Sequence, residues 1–517
     1  MTPAITLENC DVLITAEEAF CAFEEAVLNA NDSLVAGFRL FDLATTLRSN
    51  AACETGETWF DLLAHKLKQG LAITLTLTDF DPVVRPDMHA CTWRTMRAVE
   101  RLRDHAPDPD LLTVTASMHG ARIGWLSAAG LWVKSRGLLA KEARRYNDLE
   151  PDARQRFEQE RPGVVARLRF DADGRTRAPL WPPARLVPAT HHQKLAVIDA
   201  RLVYIGGLDL NDRRYDTKAH DQDSEQTWHD VQVMIRDTGL AAAALTHLGE
   251  FSPVTAGQTT AEPTSKPFLR TLSAPRQSPV AALSPKRVSR EIRQAHLDHI
   301  ATAQDLIYLE TQFLRDRDIT TALCGAAARA RELGLVVILP AAPEDVAFGN
   351  ARSSDARYGE YLQAKCLSRL RHAFGSRLFT GAPVQPRHRP SDDRSTLSDA
   401  PLLYVHAKVS VFDDAVAIVS SANLNGRSLN WDTEAGVELT DSDLVRHLKT
   451  RCMAHWLPDE HLTPYLGGSA TVTAWRSHAQ SNANDPPEKR RSFIVPYKVS
   501  PARRFGRNLP GVPKEMV

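Results

Sequence analysis

One eight-residue pattern occurs twice in this chain. Residues 192–199 read His-Gln-Lys-Leu-Ala-Val-Ile-Asp, and residues 406–413 read His-Ala-Lys-Val-Ser-Val-Phe-Asp. Both are His-x-Lys-x-x-x-x-Asp. The apolar residues between the Lys and the Asp predict a β-strand in each copy. Side chains two apart on a strand share a face. His192 therefore lies beside Lys194, and His406 beside Lys408, while Leu195, Val197, Val409 and Val411 face the other way. An imidazole next to an ammonium is costly to bury without a counter-charge. Two such pairs point to a site for a negatively charged oxyanion.

The two copies agree beyond the pattern. At the same offset after each His stands a pair of small residues, Gly206-Gly207 and Ser420-Ser421. From there, residues 206–213 (Gly-Gly-Leu-Asp-Leu-Asn-Asp-Arg) align without gaps on 420–427 (Ser-Ser-Ala-Asn-Leu-Asn-Gly-Arg). Asp209 matches Asn423, Asn211 matches Asn425, and Arg213 matches Arg427. Earlier in each half a helix runs into a strand, at Ala30-Asn31-Asp32 and again at Ala303-Gln304-Asp305. Each half then has a second helix that stops at a Gly-Leu pair, 70–71 or 334–335, before another strand. Glycine just past a helix end is the usual left-handed cap. Helix alternating with strand predicts an α/β fold. The expected architecture is two pseudo-symmetric α/β/α sandwich halves, each a mixed β-sheet flanked by helices, with the active site at their interface.

On these residues the chain resembles the phospholipase D superfamily, in its form with two motifs in one chain. Further matches are Ile307-Tyr308-Leu309-Glu310-Thr311-Gln312-Phe313, Trp228-His229-Asp230-Val231 and 420–428. The resemblance spans about residues 15–460. It implies a metal-independent phosphodiesterase or phosphatidyltransferase that works through a phosphohistidine, with His192 as nucleophile and His406 as acid. The near symmetry of the halves leaves that order open on sequence alone. Lys194, Lys408 and the side chains of Asn423 and Ser421 would donate to the phosphate oxygens, with Gly207 also at the substrate. Asp230 and Glu434 would orient the imidazoles. Asp199 and Asp413 would be structural, as would Asp209, whose carboxylate repels phosphate if it points inward. Glu310 and Gln312, two apart on a strand with Tyr308, either line the floor of the site or bond neighbouring backbone. His191 faces away from it, and Trp228 and Trp431 are expected in the core.

Composition narrows the partners. The 63 basic residues equal the 63 acidic ones, so no global field draws in nucleic acid. A phospholipid and the membrane surface that carries it are the expected partners, with the chain peripheral to the bilayer and monomeric. No apolar run is long enough to span a bilayer, and no ordinary signal peptide is visible. A cytoplasmic or peripheral-membrane location is expected, with dedicated export an alternative. The seven cysteines follow no paired spacing, which predicts free thiols. No metal-ligand cluster and no cofactor site are visible, so chelators are expected not to inhibit.

The expected division is an N-terminal half over 1–251, a linker with one short strand over 252–290, a C-terminal half over 291–465 and a basic, proline-containing tail over 466–517. The tail reads as solvated, or else as a patch for anionic lipid headgroups. Long loops at 171–190 and 382–399 precede the two motifs and are expected to border the mouth of the site.

Overall fold

The computed structural model describes residues 5–516, except 279, 350, 392, 459–461 and 468–469. Two mixed sheets dominate the described residues. The N-terminal sheet has the strand order Cys10–Ile14, Val231–Arg236, Leu202–Gly206, Lys194–Ile198, Ser33–Phe38, Ala72–Thr78, Leu112–Ser117. The C-terminal sheet repeats it as Phe268–Ala274, Glu434–Leu439, Val416–Ser420, Lys408–Phe412, Leu306–Thr311, Gly334–Ile338, Leu378–Pro383. It gains one edge strand at each end, Lys286–Arg290 and Ile494–Pro496. In both sheets the last three strands of the repeat run parallel, and the motif strand is antiparallel to both of its neighbours. The duplicated α/β architecture is as expected.

Helices Thr15–Leu28, Trp59–Lys68 and Pro86–Arg103 cover the outer face of the first sheet, around Phe23, Trp59, Leu75 and Tyr204. Helices Glu291–Thr302, Arg317–Arg329 and Ser354–Phe374 do the same for the second. The inner faces meet in one shared core, where Val197, Val203, Val233, Val409, Val419 and Val437 pack with residues of helices Thr238–Ala256 and Ser442–Trp456. Each fully buried Val or Leu contributes about 1.5–3 kcal/mol. The halves are therefore joined by a hydrophobic core, and the motif strands lie within it.

The motif aspartates explain the entry into each sheet. Asp199, at φ 50°, accepts hydrogen bonds from the backbone N–H groups of Asn31, Asp32 and Ser33. Asp413, at φ 55°, does the same for Gln304, Asp305 and Leu306. Each carboxylate ties the end of the motif strand to the start of its neighbour. Partial burial alone would raise the Asp199 carboxyl, but the three N–H donors outweigh it and hold it below its ordinary value.

Several boundaries differ from the sequence reading. Residues 252–256 finish the helix Thr238–Ala256, and two strands of the C-terminal sheet occupy 268–274 and 286–290, so the true connection is shorter than 252–290. The tail is folded. Helix Thr471–Asn484 buries Val472, Trp475 and Ala479, and Ile494–Pro496 pairs with Leu378–Pro383. The basic residues there masked a sparse apolar set. Gly70 is left-handed at φ 92°, as a cap should be, but Gly334 opens a strand instead. A Cβ at Gly334 would lie 2.8 Å from Val472 Cγ2, so packing against the tail helix accounts for the glycine. No helix among the described residues is long and apolar enough to cross a membrane.

Between Leu112–Ser117 and the first motif the N-terminal half carries an insert without a counterpart. Helices Trp125–Gly130, Trp132–Asn147 and Pro151–Glu160 surround a small core of Leu139, Tyr146, Phe157 and Val164. Its surface exposes Trp125, Leu126, Val133, Leu180 and Trp181, each by half or more.

Candidate active site

The two motif histidines meet at the seam between the halves, with ring centroids 6.5 Å apart. Backbone pairing across the seam puts them there. The His192 N–H donates to the Thr433 carbonyl (2.8 Å), and the His406 N–H donates to the His229 carbonyl (2.7 Å). In each case the next residue is the carboxylate that holds the ring. Glu434 Oε2 lies 3.0 Å from His192 Nδ1, and Asp230 Oδ2 lies 2.6 Å from His406 Nδ1. The pairing is reciprocal: each imidazole is oriented by the opposite half. A carboxylate at Nδ1 leaves Nε2 as the reactive nitrogen.

The charges around these rings set their protonation. Burial, followed by Lys194, Arg39 and Lys408, holds His192 well below the ordinary imidazole value. Burial, then Lys408 and Lys194, does the same to His406. Lys408 is itself lowered by burial to about 7, against the pull of Asp230. Burial lifts Glu434 to about 8, opposed by Lys194. Such displaced values concentrate where polar groups converge in a dry site.

Asp209 shows why a carboxylate is tolerated here. Oδ1 lies 3.7 Å from Lys194 Nζ, and Oδ2 accepts a hydrogen bond from Arg39 Nη1 at 2.9 Å. Burial alone would raise Asp209, but Lys194 and Arg39 overcome it and hold the group ionised. It is the buried counter-ion of the first lysine. Lys408 Nζ sits 2.7 Å from His406 Nδ1.

Other expected substrate contacts are redistributed. Ser421 donates its hydroxyl to Glu434 Oε2 (2.5 Å) and accepts from the Ala435 N–H (3.1 Å), so it steadies the carboxylate and has no proton left for phosphate. At Gly207 a Cβ would fall 2.3 Å from Asp230 Oδ1, so this glycine makes room for the carboxylate. Glu310 is fully buried among His229, Tyr308 and Trp456, from which it accepts hydrogen bonds. The floor role expected for it is corrected: it belongs to an internal polar cluster. Gln312 donates to the Tyr404 hydroxyl at 2.8 Å. Asn423 is buried, and its Oδ1 has no hydrogen-bond partner among the described residues. His191 is turned away and pairs with Thr433 Oγ1 (2.8 Å). Trp431 is a buried core residue, while Trp228, also buried, lies against the His406 ring at 4.5 Å.

Three features escaped the sequence reading. Arg39 follows the strand Ser33–Phe38 and acts on both His192 and Arg85. Arg85 is lowered by burial and then by the positive charges of Arg39 and Arg427, and Arg39 and Arg427 also depress His192. Arg427 alone carried a signal, through its alignment with Arg213. Third, the fold brings together three histidines that show no metal-ligand spacing in the sequence: ring nitrogens of His220, His229 and His455 lie within 4.8 Å of one another. Their separation along the chain hid them.

The family profile described as "Cardiolipin synthase, PLD-like domain" matches residues 296–456. The yeast (Saccharomyces cerevisiae) protein named Phospholipase D1 is 24% identical over 348 residues, covering 50% of this chain and 20% of its own. Phospholipase D alpha 1 of Carica papaya is 22% identical over 365 residues, covering 48% of this chain and 45% of its own. The chain thus spans less than half the length of these relatives. Among solved structures, the phosphatidylserine synthase of Haemophilus influenzae Rd KW20 superposes over 87% of this chain and 88% of its own, with a TM-score of 0.52 at 13% identity. That likeness concerns the fold. The profile match and the named relatives support a phospholipase D superfamily protein, and the solved structure shares its fold.

Proposed function

We propose that the protein is a phosphodiesterase of the phospholipase D type. It cleaves the headgroup ester of a glycerophospholipid, releasing a free headgroup and phosphatidate, or passes the phosphatidyl group to an alcohol. The observation that carries this reading is the reciprocal pair: two imidazoles face each other, and each Nδ1 is bound to a carboxylate of the other half.

A phosphodiester repels nucleophiles and has a poor leaving group, so the site must supply a nucleophile, cationic donors and an acid. His192 Nε2 attacks phosphorus, forming the P–N bond as the P–O bond to the headgroup breaks. His406 Nε2–H gives its proton to the departing oxygen. The surroundings alone favour a neutral His406, and the entering phosphodiester anion adds the negative charge that stabilises its protonated form. His406 then takes a proton from water or an alcohol, whose oxygen attacks phosphorus and releases His192. Lys194, Lys408, Arg39 and the Asn423 amide face the nonbridging oxygens. Glu434 and Asp230 fix the two rings throughout, and none of these steps requires a metal.

A lipid surface as partner is supported by the insert. Trp125, Leu126, Val133, Leu180 and Trp181 are exposed on the segment that leads into His192, and tryptophan favours the membrane interface. The neutral net charge supports lipid over nucleic acid. Transfer to a lipid alcohol, as in cardiolipin synthesis, is a second reading favoured by the description of the matching profile.

The deciding experiment incubates the protein with a phospholipid panel, with and without glycerol, and detects headgroups and lipid products by mass. Wild type is expected to release headgroup, and His192→Asn is expected not to. Nicking of DNA without headgroup release from any phospholipid would sink the proposal.

A further inference from the structure

Behind the site, away from the facing imidazoles, lies the cluster of three histidines. We propose that His220, His229 and His455 bind a divalent transition metal of the zinc class, which braces the segment carrying Asp230 against the C-terminal half.

Two of the three rings are held by buried carboxylates. His220 Nδ1 lies 2.6 Å from Asp216 Oδ2, and His229 Nε2 lies 3.0 Å from Glu310 Oε2. Both carboxylates are fully buried and tied down elsewhere: Asp216 accepts the Trp228 N–H, and Glu310 accepts from Trp456 Nε1. A carboxylate on one ring nitrogen makes that nitrogen the donor and leaves the other as a lone pair. This carboxylate–histidine arrangement is the one that orients metal ligands. The freed nitrogens turn toward each other. His220 Nε2 is 2.9 Å from His455 Nε2. His229 Nδ1 is buried in a fully covered ring and has no hydrogen-bond partner. Leaving a buried nitrogen unpaired is costly, and a bound cation would satisfy it.

Three imidazoles favour zinc, cobalt, nickel or copper over calcium and magnesium, which prefer oxygen. His455 sits at the end of the helix Ser442–Trp456 and is partly exposed, which leaves an entry path and room for water as fourth ligand. Nitrogens about 2.0–2.1 Å from zinc in a tetrahedron stand further apart than His220 and His455 do, so the His455 ring swings outward on loading.

The location gives the metal a structural role. Two ligands come from the N-terminal half and the third from a helix of the C-terminal half. His229 directly precedes Asp230, and its carbonyl holds the His406 N–H. Binding of the metal does not depend on which phosphodiester is cleaved.

The test uses the full chain and metal ions alone. Protein grown with zinc is desalted and its metal content measured. Chelator-stripped protein is then titrated with cobalt(II) and with zinc(II), reading the visible cobalt spectrum and the melting temperature. Wild type is expected to hold about one zinc per chain, to give tetrahedral-type cobalt bands and to melt higher with zinc. His455→Gln is expected to bind cobalt at least about tenfold more weakly and to lose the zinc-dependent melting shift. If that variant fails to fold, His220→Asn replaces it, with the same expectation. A wild type that takes up no zinc or cobalt, or a variant that binds them equally well, would overturn the proposal.

Discussion

Asp230 reaches across the seam to His406: Oδ2 of one half stands 2.6 Å from Nδ1 of the other. The same residue needs the missing side chain of Gly207 in order to fit. Asp230→Asn keeps the shape and removes the charge that holds the tautomer. It is expected to lower kcat by about 10²–10⁴ with circular dichroism unchanged. Activity within a few-fold of wild type would refute the orienting role.

The division of labour between the histidines is testable by substrate choice. His192→Asn removes the nucleophile and is expected to be inactive on every ester. His406→Asn removes the proton donor, so it should retain formation of the phosphohistidine from a p-nitrophenyl ester, whose leaving group needs no proton. Intact-mass detection of a phosphorylated His406→Asn chain, and none in His192→Asn, is the expected result. The reverse pattern would exchange the two roles.

Lys408 faces Asp230, Lys194, Glu434, Asp209 and His406, and burial lowers its ammonium to about 7. The charged form is the one that binds phosphate. With the pKa lowered, that charge is present below about 7 and is lost as pH rises through it. The free-enzyme profile of kcat/KM is therefore expected to fall on its basic side from about pH 7. In Lys408→Arg the guanidinium stays charged, so the residual activity should lose that basic limb. An unchanged limb in the variant would assign the titration elsewhere.

The motif aspartates hold backbone instead of substrate. Asp413→Ala removes a carboxylate from the N–H groups of Gln304, Asp305 and Leu306. The expected loss is about 1.5–3 kcal/mol in urea unfolding, with near-normal kcat in the folded fraction. Lost catalysis at unchanged stability would contradict the structural role.

What could be read from the chain beforehand depended on range. His192, Lys194, His406 and Lys408 were legible because a strand repeats every two residues, and a motif written twice needs no knowledge of distant contacts. Asp230 and Glu434 were legible as positions, but which carboxylate serves which ring depends on how the two sheets face, and no local pattern encodes that. Ser421 looked like a phosphate donor until its hydroxyl proved to be taken by Glu434. Arg39 ends an ordinary strand and is marked only by its closeness to Asp209. His220, His229 and His455 come from a loop, a strand entry and a helix end, so only the folded chain unites them. The fold of the tail is not legible in the sequence because Trp475, Ile494, Val495 and Tyr497 stand among charges, and their burial depends on a sheet edge far back in the chain.

On the proposed mechanism, the crossed carboxylates make activity a logical conjunction. Severed in the connection between the helix Thr238–Ala256 and the strand Phe268–Ala274, each fragment would own a histidine whose orienting partner sits on the other piece. Neither fragment alone would retain a fraction of the turnover. Activity would return only on reassembly, which suits the chain to serve as a split reporter, silent until its two pieces are brought together.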